Sequence, residues 1–225
     1  YLSLTRSGLK GERMTVRIGV VGFRHNHIYD LYQQADYMPE VEIVAACEEF
    51  PAARQRVEQR EFVQLTHDNY KDLLASADCD AIAVGDYYGR RGRLLIDALS
   101  AGKHVIADKP LCTRLSELDE IERLSKEKGL SVGCMLNMRD DAPFIGVRNL
   151  VRQGLIGQVH AISFGGQHPL LLDAGPASRA AWYFEPGKHG GTINDIGIHA
   201  LDAIPWITGQ RFTLVNAARS WNAFA

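Results

Sequence analysis

Two periods of apolar spacing alternate along this chain. Five short apolar runs recur between residues 17 and 136: "RIGVV" (17–21), "VEIVAAC" (41–47), "AIAVG" (81–85), "HVIAD" (104–108) and "LSVGCML" (130–136). Unbroken runs of this length suit strands of a parallel sheet covered on both faces. The stretches between them carry helical spacing. Leu94, Leu95, Ala98 and Leu99 fall on one helical face, and Gly102 sits at the position of a C-terminal cap. In "SELDEIERLSKEKGL", Ser116 and Asp119 have the spacing of a capping box, Leu118, Ile121 and Leu124 line one side, and Gly129 ends the helix. Strand–helix alternation of this kind predicts a doubly wound α/β domain over residues 14–137.

From residue 138 the rhythm changes. "APFIGVRNLVRQGLIG" reads as a helix with Gly154 and Gly157 near its end, and "QVHAISFGGQH" alternates like a half-buried strand. "GGTINDIGIHALDAIPWITG" reads as a glycine-opened helix, and "RFTLVNAARSWNAFA" as a last strand with no closing element. Residues 138–225 therefore predict the start of an α+β domain with an open and incomplete sheet. A helix on such a sheet leaves apolar surface and backbone donors uncovered, which calls for a longer native protein, further segments or an assembly over the edge. Residues 1–13, ahead of Met14, read as a leader or mobile arm.

Composition excludes several classes. The 25 basic and 27 acidic residues leave a net charge of −2 with no basic block, so neither nucleic acid nor an anionic membrane is an expected partner. No apolar run approaches the length of a membrane span. Cys47, Cys79, Cys112 and Cys134 are scattered and form no C-x-x-C pair, which fits free thiols in a cytoplasmic setting.

Three places carry candidate chemistry. In "VRIGVVGFRHNHIYD" a strand runs into a turn and a helix, the arrangement that offers backbone N–H groups and a dipole end to a phosphate. Gly22 is the first glycine of a Gly-x-Gly-x-x-Gly pattern, but Arg24 and His27 stand where the second and third belong. Glu48 ends the second strand, where a carboxylate can accept from a ribose diol, and the residues after it include no arginine for a 2′-phosphate. This predicts NAD rather than NADP. Lys109 lies just beyond the fourth strand, at the ligand edge of an open sheet, and Pro110 holds it extended and allows a cis bond. Asp195 and His199 are four apart on a predicted helix and share a face, as a substrate-orienting carboxylate and a proton-moving imidazole would. His25 and His27, with His189 or His199, lack the spacing of a matched metal set; no metal site is predicted, and the histidines read as separate structural residues.

Taken together, "RIGVVG…CEE…GKHVIADKPL…GGTINDIGIHALD" resembles the Gfo/Idh/MocA oxidoreductases, the group of glucose–fructose oxidoreductase and inositol 2-dehydrogenase. The resemblance runs from about residue 16 to the chain end and includes "DNYKDLLASADCDAIAVG" and "GLIGQVHAISF". It implies an N-terminal Rossmann domain, with Gly22, Arg24, His25, Glu48 and Lys109 on the cofactor side. It also makes Lys109 the lysine of a Glu-Lys-Pro motif that binds substrate near the nicotinamide, and matches Asp195 and His199 to the substrate-orienting and proton-transferring pair. Asn137 and Arg139 fall on an Asn-x-Arg segment near the cleft. The chain departs from the pattern in four places. Asp108 replaces the motif's glutamate, and Tyr87, Tyr88 and Arg91 replace members of Pro-Asn-x-x-His. Arg24 either neutralises the pyrophosphate or takes its place, and His27 denies the close helix–strand approach of a third glycine.

The function implied is hydride transfer between NAD(P) and a secondary alcohol of a sugar, polyol or related compound, in a homo-oligomer joined through the second domain's sheet. Two rivals are a redox-neutral relative that uses NAD in glycoside cleavage or epimerisation, and a binding protein that has lost the cofactor.

Overall fold

The computed structural model describes residues 15–165 and 180–218. The expected leader at 1–13 and the end of the last expected strand lie outside the described residues. Two compact units divide the described residues: one holds those up to Met135 and residues 180–196, and the other holds residues 136–165 and 197–218. Residues 180–196 thus group with the first unit, although they lie in the second stretch by sequence.

The first unit alternates strands and helices in the expected order: β1 (Val16–Val21), α1 (His27–Tyr37), β2 (Val41–Cys47), α2 (Pro51–Glu58), α3 (Tyr70–Ser76), β3 (Ala81–Val84), α4 (Tyr88–Ser100), β4 (His104–Asp108), α5 (Leu115–Lys128) and β5 (Val132–Met135). The strands form one parallel sheet in the order β2-β1-β3-β4-β5. Chain direction across the sheet reverses between β1 and β3, the crevice where ligands of doubly wound sheets bind.

Both faces of the sheet are buried, which explains the unbroken apolar runs. Successive residues of one strand enter opposite cores. Val20, Ala46 and Ala83 pack with Phe23, Ile28, Tyr32 and Val57 on one side. Val21, Ala45 and Ile82 pack with Leu73, Leu94, Leu95, Ala98, Leu99 and Leu124 on the other. The predicted α4 face is thus the buried one, and Gly102 (φ +79°) and Gly129 (φ +65°) follow their helices in the left-handed conformation that releases the chain. The capping box expected at Ser116 does not form. Helix α5 begins at Leu115 after Arg114, with no side-chain cap, so Ser116 lies inside the first turn, too far in to accept from the orphan N–H groups. Asn69 does cap α3, its Oδ1 accepting from Lys71 N (2.8 Å) and Asp72 N (3.2 Å). No disulfide joins the four cysteines, and burial pushes the Cys47 thiol up to about 12.

In the second unit α6 (Ala142–Arg152) packs on α7 (Ile198–Thr208), which Gly209 (φ +73°) terminates. Arg148 lies 4.7 Å from the Trp206 ring and Arg139 clasps Asp202, its Nε 2.7 Å from Oδ2. The strands expected within 158–168 and from 211 are absent from the described residues 158–165 and 211–218. A strand exists only as a rung of a ladder, and neither stretch has a ladder partner among the described residues. Phe212, Leu214 and Val215 are exposed there.

Candidate active site at the carboxyl edge of the sheet

The turn after β1 is built by Gly22, the one glycine of the expected pattern, and by Gly85, which lies outside it. Gly22 has φ +76°, and a Cβ on it would lie 2.8 Å from the Asp86 backbone nitrogen. The close helix–strand approach thought lost to His27 is present, and its glycine lies on the strand side. A Cβ on Gly85 would meet Ile28 Cβ of α1 at 2.4 Å and the Gly22 carbonyl at 2.6 Å. The Gly85 carbonyl also accepts from Arg24 N (3.2 Å) and His25 N (3.1 Å), stitching the turn to the end of β3. Gly85→Ala is therefore expected to cost about 1–3 kcal/mol through overpacking, read as a lowered unfolding midpoint.

Glu48 is almost fully buried, with Oε2 accepting from Phe23 N (2.7 Å) and Oε1 from Phe50 N (2.9 Å). Burial raises its pKa, against the pull of those two N–H donors. It fastens the end of β2 to the β1 turn. Arg24 reaches the same rim from the other loop. Its guanidinium lies 4.0 Å from the Phe50 ring centroid and 5.5 Å from that of Tyr87. Its Nε and Nη1 are buried without a hydrogen-bond acceptor among the described residues. Buried guanidinium N–H groups without acceptors are costly, and a phosphoryl oxygen supplies what they lack. With Gly22 bare of a Cβ, the turn fits a dinucleotide phosphate.

His25 and His27 are not separate structural residues. Both present Nδ1 to the fully buried Asp108 carboxylate, His27 at 3.0 Å, and Arg91 donates to the same group at 3.1 Å. Arg91 Nε also donates to the Asp86 carbonyl (2.7 Å), and its Nη1 to the Asp108 carbonyl (2.8 Å). Burial would raise the Asp108 pKa, but the two imidazoles and the Arg91 charge hold it well below the usual carboxylate range. Burial also lowers His25, which favours a neutral ring donating its Nδ1–H. The three ligand atoms lie within 4.8 Å of one another, close enough for one cation, but Arg91 already supplies Asp108 with a positive partner. Aspartate instead of glutamate leaves room for both imidazoles at the strand end.

Lys109 and Asp195 are brought together. Lys109 follows β4 ahead of a cis Pro110, and Asp195 sits in a π-helical turn, Ile193–Gly197, rather than in the regular helix expected. Lys109 Nζ donates to Asp195 Oδ1 at 2.7 Å and to its carbonyl at 2.6 Å, with both side chains nearly buried. Tyr88 donates to the same Oδ1 at 2.6 Å, and His189 Nε2 lies 3.3 Å from Oδ2. Against burial, which raises it, these three donors hold Asp195 well below its ordinary value. Tyr88, Trp182, Tyr183 and His189 pack their rings around the pair, the Tyr88 and Tyr183 hydroxyls 3.1 Å apart. Tyr88 was legible only as a departure from a motif and His189 only as a weak metal candidate; Trp182 and Tyr183 gave no signal. His199, in α7, and Asn137 and Arg139, in a 3₁₀ turn, belong to the second unit.

Residues 16–135 match the family described as an oxidoreductase family with an NAD-binding Rossmann fold, and residues 144–223 match the GFO/IDH/MocA C-terminal domain. The chain belongs to the GFO/IDH/MocA oxidoreductases. Among members of the family, it is 23% identical over 202 residues to the scyllo-inositol 2-dehydrogenase (NADP(+)) of Bacillus subtilis, covering 86% of this chain and 52% of that protein. It is 24% identical over 207 residues to the levoglucosan dehydrogenase of Pseudarthrobacter phenanthrenivorans, with coverages of 90% and 52%. The crystal structure of scyllo-inositol dehydrogenase from Lactobacillus casei with bound NAD(H) and scyllo-inositol shares the fold, with TM-score 0.69, 24% identity and coverages of 87% and 56%. The chain thus spans about half the length of these relatives. No helix among the described residues is long and apolar enough to cross a membrane.

Proposed function

We propose that this GFO/IDH/MocA member is a nicotinamide-dependent dehydrogenase acting on a secondary alcohol of a sugar or polyol. The buried Lys109–Asp195 pair carries this reading, a fixed cation at the carboxyl edge of the sheet beside the crevice between β1 and β3. Alcohol oxidation needs a positive group where the carbinol oxygen gains charge and a base that takes its proton. When bound, the nicotinamide supplies the two-electron acceptor. Lys109 supplies the cation. Asp195, with Oδ1 already bound by Lys109 and Tyr88, acts by holding the ammonium in place rather than by catching a second substrate hydroxyl. His199, on the second unit, is the base that takes the proton. Gly22 and His25 lie at the dinucleotide's diphosphate, Arg24 meets a cofactor phosphate at the rim, and the second unit serves assembly into a homo-oligomer.

The test is direct. The full chain is titrated with NAD(H) and NADP(H), then assayed with a panel of inositols, aldoses and anhydrosugars for net reduced cofactor. Dinucleotide binding with substrate-dependent reduction is expected. Absence of any dinucleotide binding would leave the non-catalytic reading, and substrate conversion without net reduction the redox-neutral one.

A further inference from the structure

The preference for NAD read from Glu48 requires a carboxylate that meets the ribose, with no arginine beside it. Neither condition holds in the fold. Both Glu48 oxygens accept backbone N–H groups, and the residue is 1% exposed. The missing arginine is present, contributed by the β1 turn and not by the residues after β2. Arg24 lays its guanidinium on Phe50, two residues beyond Glu48, and acts electrostatically on both Glu48 and Asp86.

The other charged groups of this rim are already paired. Asp86 accepts from Tyr87 N (2.7 Å) and Arg90 Nη1 (2.8 Å). Glu49 accepts from Tyr70 N (2.8 Å) and from Arg90 Nη2. Arg54 donates to the Glu48 carbonyl (3.2 Å) and to Glu58 (3.3 Å). Arg24 alone among these has buried donors, Nε and Nη1, that meet no acceptor among the described residues. A flat guanidinium held against an aromatic face leaves its N–H edge without a protein acceptor, and that edge suits the oxygens of a phosphate monoester. An arginine beside the acidic residue that ends β2 is the arrangement that accommodates a 2′-phosphate in this class of sheet.

We propose that Arg24, stacked on Phe50 and Tyr87, is a recognition residue for the 2′-phosphate of NADP(H), so that this chain prefers the phosphorylated cofactor. The inference rests on the dinucleotide reading above, and its test separates the two. Dissociation constants for NADPH, NADH and 2′,5′-ADP are measured by calorimetry or ligand fluorescence on the full chain, with no substrate present. The wild type is expected to bind NADPH about tenfold or more tightly than NADH. Arg24→Gln should weaken NADPH and 2′,5′-ADP by about tenfold to a hundredfold, the range of a lost charge-assisted hydrogen bond, and change NADH by less than about threefold. Arg24→Lys, which keeps the charge but not the planar fork, should fall between and so exposes a general folding defect. Equal losses for NADH and NADPH in Arg24→Gln would place the guanidinium on the diphosphate and overturn the proposal, as would tighter binding of NADH by the wild type. Wild type that binds neither dinucleotide overturns this proposal together with the oxidoreductase reading. Wild type that binds both, with Arg24→Gln unchanged, overturns this one alone.

Discussion

Lys109→Ala is expected to lower kcat/KM by about 10²-fold or more while dinucleotide affinity stays within a few-fold. The charged atom of Lys109 is both bonded to Asp195 Oδ1 (2.7 Å) and anchored on the carbonyl of the same residue (2.6 Å), so its position is over-determined. A cation fixed in a water-poor site stabilises a developing alkoxide without reorganising, and removal of one such donor costs roughly 10²–10³ in rate. His199→Ala should lose a comparable factor by removing the proton acceptor, within the 10²–10⁴ range of general bases. Steady-state kinetics with the substrate found by the panel, together with direct cofactor binding, separate the two roles. Near-full turnover in both variants, or a parallel collapse of cofactor binding, would refute the assignment. Tyr88 has a subordinate place in this centre: burial and the neighbouring Tyr183 and Asp195 raise its pKa, so it remains a phenol that donates to Asp195 and is no base.

The largest effect on stability is expected at Asp108. Its carboxylate is the anionic partner of Arg91, which is itself fully buried, and the shared acceptor of His25 and His27. Asp108→Ala leaves a buried guanidinium with carbonyl partners but no counter-charge, the situation that costs about 3–5 kcal/mol when one member of a buried pair is removed. For a chain of this size that is roughly 6–20 °C in Tm. The acid response has a definite sign. Because the folded carboxyl titrates below its unfolded value of about 3.9, the stabilisation is complete above that value and is lost as pH falls through it toward the folded value. Asp195, also lowered, adds to the loss in the same window. His25, lowered by burial, begins to oppose folding already below about pH 6.5, where the unfolded ring takes a proton that the folded ring resists. Thermal melts of wild type and Asp108→Asn should therefore keep their gap from pH 7 to about pH 4 and converge only as pH falls below that. A gap that stays constant would remove Asp108 from the account.

Sequence alone determined the strand–helix alternation of residues 16–135, because the sheet there is covered on both faces and each helix buries one, so burial is written into local composition. Val41–Cys47 and His104–Asp108 match their apolar runs residue for residue. It also located Lys109, Asp195 and the glycine turn, since those lie in contiguous motifs. The strands of the second unit were legible as alternation in 158–168 and 211–225 but do not form in the described part of either stretch, because alternation is a disposition that only a neighbouring strand converts into a ladder. The rest was decided by tertiary structure. That Gly85 takes over the close approach to Ile28, that Arg24 stands beside Glu48 on the face of Phe50, and that His25, His27 and Arg91 share Asp108 are contacts between loops at the ends of different strands. Such contacts carry no sequence period, and a parallel sheet gathers its strand ends at one edge whatever their distance along the chain.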